Sequence, residues 1–281
     1  MRRERVSDDI YVFTSDMYAQ VTATAVVTGE GIVVVDTLPF PQETRALVQF
    51  LENLGRGPIR YSINTHWHGD HTNGNVFLLQ KGAQLVSHQR CAETMIAMQH
   101  AKMEEESSGR SKSSDDIPIC VPDLTFQEGE MCLHLGGKSL HMIPSPGHTP
   151  DSIVVLVRED KVLIAADTLM PLPYFVGGSH QDFLQSLQNL LEISIDTVVQ
   201  GHGEVLLRGE IKEVINSSIR YLNTIQRRVA GVVESGQSRD ALRRMDIESC
   251  GKSRIPLNGL VQDLHYANLQ ALYEEMTKPH D

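Results

Sequence analysis

The segment His66-Trp67-His68-Gly69-Asp70-His71 places three imidazoles and one carboxylate within six positions. Neutral imidazole and carboxylate are good ligands for zinc, and also for iron or manganese. His66 and His68 lie two residues apart, so on extended backbone they project to the same side. Gly69 allows a sharp turn that carries Asp70 and His71 towards a second metal beside the first. Three further positions share this character. His148 sits in the glycine turn Pro146-Gly147-His148-Thr149. Asp167 ends a strand whose other residues are apolar, where a bare carboxylate is costly unless paired or metal-bound. His202 stands between Gly201 and Gly203. Each of these is a weak signal alone. Together, four strand-end sites rich in His and Asp fit two metal ions.

The elements that must hold these residues follow an α/β pattern. Strands are expected at Ile10–Phe13, Thr22–Val27 and Ile32–Val35. Pro41 then opens an amphipathic helix that Gly55 ends. A short strand, Tyr61–Thr65, leads straight into the histidine segment, the usual place for a site in an α/β layer. The second half has strands at Leu140–Ser145, Ile153–Val157 and Lys161–Ala166. Ser179 with Asp182 has the spacing of a capping box for a helix through Leu191. The strand Thr197–Val199 runs into Gly201. The strand ends Gly31–Thr37 and Lys161–Thr168 echo each other, a weak sign of two similar layers. Beyond Glu210 the pattern is helical, at Ile211–Val233, Ser238–Met245 and Leu260–Met276. The expected division is an α/β unit over residues 1–209 with a helical extension, 210–281, packed on it. The polar segment Glu104–Asp116 reads as a mobile loop.

Composition narrows the function. The chain of 281 residues has a formal charge of −11 and no Lys/Arg-rich block, so nucleic-acid binding by counterion release is not expected. The basic N-terminus lacks the apolar stretch of a secretory signal. No run approaches the ~20 apolar residues of a membrane span. Cys91, Cys120, Cys132 and Cys250 are scattered with no C-x-x-C pair. The expectation is a cytoplasmic, reduced protein with buried thiols, no membrane and no nucleic-acid partner. A homo-oligomer stays open.

These residues together resemble a metallo-β-lactamase superfamily hydrolase. The family's H-x-H-x-D-H motif matches His66, His68, Asp70 and His71. Its G-H-T motif matches His148, its strand-end Asp matches Asp167, and its late G-H-G motif matches His202. The similarity runs from about Ile10 to Glu204. It implies a four-layer αβ/βα sandwich with two zinc ions, or iron or manganese, at one edge between the sheets. It assigns His66, His68 and His148 to the first metal and Asp70, His71 and His202 to the second, with Asp167 bridging. Asp36 matches an earlier family Asp that holds the histidine loop rather than binding metal.

The resemblance also implies the chemistry. Two divalent ions outweigh two carboxylates, and zinc lowers a bound water's pKa to about 7, giving a hydroxide nucleophile. Asp70 is the catalytic residue that orients it and carries a proton to the leaving group. Typical β-lactamases of the commonest type have a cysteine where this chain has Asp167, which favours the glyoxalase II, lactonase and phosphodiesterase branches. Glyoxalase II usually reads G-H-T-x-G-H, whereas this chain reads Gly147-His148-Thr149-Pro150-Asp151-Ser152. The leading expectation is hydrolysis of a small acyl substrate: an ester, lactone, thioester or lactam. β-Lactamase activity, a phosphodiesterase or nuclease, and an iron-binding or non-hydrolytic member stay open. Trp67, Tyr174, Phe175 and His180 are the candidates for the substrate pocket. The remaining histidines (His88, His100, His134, His141, His265 and His280) are read as surface or packing residues.

Overall fold

The runs of valine and isoleucine form two mixed sheets in the computed structural model, which describes residues 1–107 and 117–278. The first sheet has its strands in chain order: β1 (Arg2–Ser7), β2 (Ile10–Thr14), β3 (Thr22–Thr28), β4 (Gly31–Val35), β5 (Ile59–Asn64), β6 (Gln84–His88) and β7 (Leu124–Phe126). The first four pair antiparallel, and β4 through β7 pair in parallel. The second sheet contains β8 (Met131–Leu135), β9 (Lys138–Pro144), β10 (Ile153–Val157), β11 (Val162–Ala166), β12 (Thr197–Gln200) and β13 (Val205–Leu207). There β11 and β12 pair in parallel and the other neighbours antiparallel.

Central strands show why the sandwich has four layers. β4 and β11 are buried at every position, so they are apolar on both faces. Val33 and Val35 of β4 pack between the sheets with Ile164 of β11. Ile32 and Val34 point the other way, against Leu47 and Leu51 of α1 (Pro41–Asn53). In β11, Leu163 and Ala165 point outward against Phe183 and Leu187 of α5 (His180–Leu190). The order is therefore helix, sheet, sheet, helix. Short α2 (Gly69–Thr72) and α3 (Asn75–Leu79) follow β5, and α4 (Gln89–Ser107) follows β6. Ser179 caps α5 by accepting from Asp182 N–H at 3.1 Å, as its spacing predicts.

The echo between the two strand ends is a structural repeat. An antiparallel pair β3–β4, then α1, then β5 parallel to β4, matches β10–β11, α5 and β12 parallel to β11. A left-handed residue closes each strand, Asp36 (φ 59°) directly after β4 and Ala166 (φ 43°) as the last residue of β11.

Other expectations change. β1 is a strand that its charged residues conceal, paired with β2. The segment Ser238–Met245 forms a 3-10 helix, Arg239–Arg244, rather than an α-helix. Of the expected loop Glu104–Asp116, Glu104–Ser107 complete α4, and 108–116 lie outside the described residues, as does His280. The thiols are not all buried. Cys91 and Cys250 are, but Cys132 is exposed because edge strand β8 turns it to solvent, and Cys120 is intermediate. Among the described residues, no helix is long and apolar enough to cross a membrane.

The C-terminal helices α6 (Arg208–Glu234) and α7 (Val261–Thr277) share one apolar cluster with α5 and β11, including Leu163, Phe183, Tyr221 and Leu269. A division at 209/210 falls just inside α6. Between these helices, half-buried Lys252 donates to Ser218 Oγ of α6 at 3.0 Å. Burial, then the nearby Arg220, pushes its ammonium down to about 8. The folded state thus releases this proton at lower pH than the unfolded chain does. Stability is lowest with the lysine charged and rises between pH 8 and the ordinary lysine range. Lys252→Met is expected to raise Tm at pH 7, with its advantage shrinking as pH climbs above 8. Thermal melts across that range check this, and a constant difference would contradict it.

Candidate metal centre

The seven ligand-type residues lie on loops and in the short helix α2 at one edge of the sandwich, where strands of both sheets end. The histidine segment follows β5, His148 lies between β9 and β10, Asp167 follows β11 and His202 follows β12. Backbone hydrogen bonds join the sheets at this edge: Thr22 N–H to Gly201 O and Ile153 N–H to Thr65 O, both 2.9 Å.

The donor atoms gather into two groups, each with all its atoms within 4.8 Å of one another. His66, His68, His148 and Asp167 form the first; Asp70, His71 and His202 form the second. In the first, His68 Nδ1 is 3.1 Å from His66 Nε2 and 2.9 Å from His148 Nε2. In the second, Asp70 Oδ2 is 3.6 Å from His202 Nε2 and 3.9 Å from His71 Nε2. Asp167 reaches both groups. Its Oδ2 is 3.2 Å from His148 Nε2 and 3.4 Å from His202 Nε2, and its Oδ1 is 3.3 Å from His71 Nε2.

Hydrogen bonds outside these groups decide which ring nitrogens face inward as lone pairs. His148 Nδ1 donates to Tyr174 O at 2.7 Å, and His202 Nδ1 donates to Ala19 O at 2.9 Å. His71 Nδ1 donates to Asp36 Oδ2 at 3.0 Å. The Thr65 hydroxyl gives its proton to Asp36 Oδ2 (2.7 Å), so His66 Nδ1 must donate to Thr65 Oγ1 (3.1 Å). In each neutral ring the inward Nε2 is then an acceptor. His66, His68 and His148 bring three nitrogens together that share at most one proton. His71 Nε2 and Asp167 Oδ1, 3.3 Å apart, are buried and find no hydrogen-bond partner outside the donor groups. Converging lone pairs and orphaned acceptors are what a cation satisfies, so the donor set fits metal.

Charge follows the same geometry. Burial, then neighbouring rings, holds His66 well below the usual imidazole range and pushes His68 down to about 4. Burial also opposes charge on His71 and His202, but Asp167, joined by Asp70 and for His71 by Asp36, overcomes it and raises both. Asp167 is lowered well below the carboxylate range, against its burial, by His202, His71 and His148. Close approach makes glycine necessary at two places. A Cβ on Gly201 would overlap Asp167 Oδ1, and Gly147 has φ 143° with α5 packed against it.

The substrate-pocket expectations divide. Tyr174 lines a cleft over the donor groups, with Tyr18, Met170 and three leucines of the C-terminal region. Trp67 packs edge-on to His68 at 4.3 Å but does not line that cleft. His180 is corrected: its buried ring donates from Nε2 to Leu222 O of α6 (3.1 Å), because the Ser179 cap starts α5 with this side chain turned towards α6. Burial lowers its pKa. Phe175 is corrected likewise, since it packs on His180 in the core, 4% exposed.

Sequence reasoning misses Tyr18 and Ala19. They sit in a turn whose left-handed residues, Ala19 and Gln20, are not glycines and so carry no turn signature. It also misses Asn268 of α7. The Asn268 amide donates to Pro173 O (2.7 Å) and accepts from Phe175 N–H (3.2 Å), gripping both sides of Tyr174.

Residues 18–202 match the model of the metallo-beta-lactamase superfamily. The chain belongs to this superfamily. A relative, Beta-lactamase-like protein 2 homolog of Caenorhabditis elegans, is 21% identical over 67% of this chain and 56% of its own length. Hydroxyacylglutathione hydrolase of Rhizobium meliloti is 29% identical over 57% of this chain and 54% of its own. The chain thus spans just over half the length of these relatives. A solved structure of a sec-alkylsulfatase from Pseudomonas sp. superposes with TM-score 0.73 at 15% identity, covering 99% of this chain and 50% of that one. The metallo-β-lactamase fold with its C-terminal helices is therefore shared by that protein.

Asn268 ties the C-terminal helix to the loop that supplies the His148 acceptor. Asn268→Ala is expected to cost about 1–3 kcal/mol by leaving buried polar groups unpaired. Hydrogen exchange should speed up at Phe175 N–H, and unchanged protection there would refute the link.

Proposed function

We propose that the protein is a di-zinc hydrolase of a small acyl substrate, an ester, lactone, thioester or lactam. The observation that carries this reading is the pair of donor groups with the buried Asp167 carboxylate reaching into both. In this reading His66, His68 and His148 would hold the first ion and Asp70, His71 and His202 the second, with Asp167 within reach of both groups. Imidazole and carboxylate donors in groups of three or four suit zinc, with iron or manganese compatible. When bound, such a pair supplies a water nucleophile at neutral pH and an electrophile for the scissile oxygen.

The chain's own residues do the rest. Asp36 and the Tyr174 and Ala19 carbonyls hold the rings in the tautomer that ligation needs. In this reading Asp70, part-exposed at the cleft, orients the attacking water and passes its proton to the leaving group, a role its position in the cleft lining supports. An acyl substrate is supported by the name of the Rhizobium meliloti relative. Asp167, where commonest-type β-lactamases have cysteine, argues against penicillins as the main substrate.

Metal analysis with a panel of chromogenic esters, a homoserine lactone, a glutathione thioester and nitrocefin tests this. Metal-dependent cleavage of phosphodiesters with none of the panel turned over would overturn it. His68→Ala is expected to abolish turnover, and Asp70→Asn to lose more activity than metal. Wild-type rates in either would contradict the assignment. Acid should also empty the two groups unequally. His71 and His202 hold protons more tightly without metal, so binding there must displace them and weakens as pH falls. His66 and His68 are already neutral. Titrating the loaded protein from pH 7 to 5 should release one equivalent before the other, and simultaneous release would count against this.

A further inference from the structure

We infer that the C-terminal region sets the selectivity of this site: Leu257, Leu260 and Leu264 build an apolar, cation-free wall suited to a neutral substrate bearing an aliphatic group. The inference rests on the hydrolase reading and goes beyond it by naming the substrate class.

The cleft over the donor groups has a volume of about 310 Å³. That is at the small end of the roughly 300–1,000 Å³ typical of small-molecule sites. His68, Asp70, His148, Asp167 and His202 supply its reactive side. Much of the remainder is apolar: Leu257, Leu260, Leu264 and Met170, with the Tyr18 and Tyr174 rings. Any group seated there belongs to the molecule whose scissile bond meets the donor groups.

The backbone is shaped to present this wall. Leu257 (φ 54°, ψ 36°) and Asn258 (φ 56°, ψ 31°) are consecutive left-handed residues, and neither is glycine. Side chains adopt this region at a steric cost, so the surrounding packing must impose it. Leu257 is nonetheless 4% exposed while lining the cleft. α7 begins at Val261 with Leu260 as its N-cap, and Leu260 and Leu264, four residues apart, fall on one face of its first turn. Both are only partly buried, which leaves apolar area available to a ligand.

Charge points the same way. Among the described residues, no lysine or arginine lines the cleft. A carboxylate, phosphate or glutathione chain remote from the metals would find no cationic partner there and would meet Asp70. The Tyr18 and Tyr174 hydroxyls suit neutral oxygen atoms. The wall also lies outside residues 18–202, the portion matched to the family, so it belongs to the part of the chain that the family's shared core does not specify.

The test uses the full chain reconstituted with zinc. Its substrates are p-nitrophenyl esters from acetyl to octanoyl, alkyl-substituted γ-lactones, S-lactoylglutathione and nitrocefin. In wild type, kcat/KM should rise roughly two- to fourfold per added methylene until the cleft is full, as expected for apolar burial. Leu260→Ala and Leu264→Ala should flatten that slope, and Leu260→Lys should shift preference towards the anionic substrates. Calorimetry of unreactive N-hexylacetamide with the metal-free protein gives a readout independent of turnover. Binding that weakens in Leu264→Ala supports the wall. A flat chain-length series, or preference for anionic substrates, in an enzyme active on acyl compounds overturns this inference and leaves the hydrolase reading standing. Amide binding without any acyl turnover upholds the wall and overturns the hydrolase reading, and absence of both overturns the two together.

Discussion

The Asp36 carboxylate accepts three hydrogen bonds, from Thr65 N–H (2.8 Å), the Thr65 hydroxyl (2.7 Å) and His71 Nδ1 (3.0 Å). Both ends of the histidine segment are fixed by it. His71 is oriented directly, and His66 indirectly, because Thr65 has spent its only proton on Asp36 and can only accept from the ring. Asp36 adopts a left-handed conformation at the end of β4, and this contact set is what holds it there. Elsewhere in the site the same task falls to backbone carbonyls, those of Ala19 for His202 and Tyr174 for His148. The result is an arrangement of lone pairs turned towards two shared gaps. Such an arrangement is repulsive unless a cation or protons fill it, and the raised affinity of His71 and His202 for protons is the expression of that strain.

What was legible in the sequence is what depends on neighbours in the chain. The His66–His71 spacing, the glycine turns around His148 and His202, and the fully apolar strands β4 and β11 all encode their structure over a few residues. Their convergence was legible only as a set, since each strand end brings one fragment. What was hidden depends on distant contacts. The proline- and glycine-rich stretch 171–178 reads correctly as a loop, but composition does not say which of its side chains face the cleft. Tyr174 does, whereas Phe175 packs into the core with His180. Asn268 meets that loop across more than ninety residues. β1 was obscured because an edge strand tolerates the charges of Arg2, Arg3, Glu4 and Arg5.

The C-terminal helices are more than a cover for the second sheet. A buried polar chain runs through them: Asn268 donates to the Tyr221 hydroxyl (3.3 Å), the hydroxyl donates to His265 Nδ1 (2.9 Å), and His265 Nε2 donates to Met245 O (3.0 Å). Its far end grips Pro173 and Phe175, on either side of the residue whose carbonyl holds His148. Buried polar groups joined this way fix one packing arrangement, because any other leaves several of them unpaired. The position of α7 and the orientation of His148 are thereby settled together.

The division of the donors between sheets has a consequence for the molecule as a whole. Each group takes ligands from both halves of the sandwich: His66 and His68 with His148 and Asp167, Asp70 and His71 with His202. An ion in either gap would be a strut between two halves that otherwise meet along an apolar seam, a few backbone hydrogen bonds and side-chain contacts such as Lys138 with Asp9 and Thr22 with Gln200 O. Loading and folding would then be a single linked equilibrium, in which stability would grow with the logarithm of free metal concentration. Scarcity of metal would be felt as a loosening of the seam, a mechanical state of the protein as much as a catalytic one.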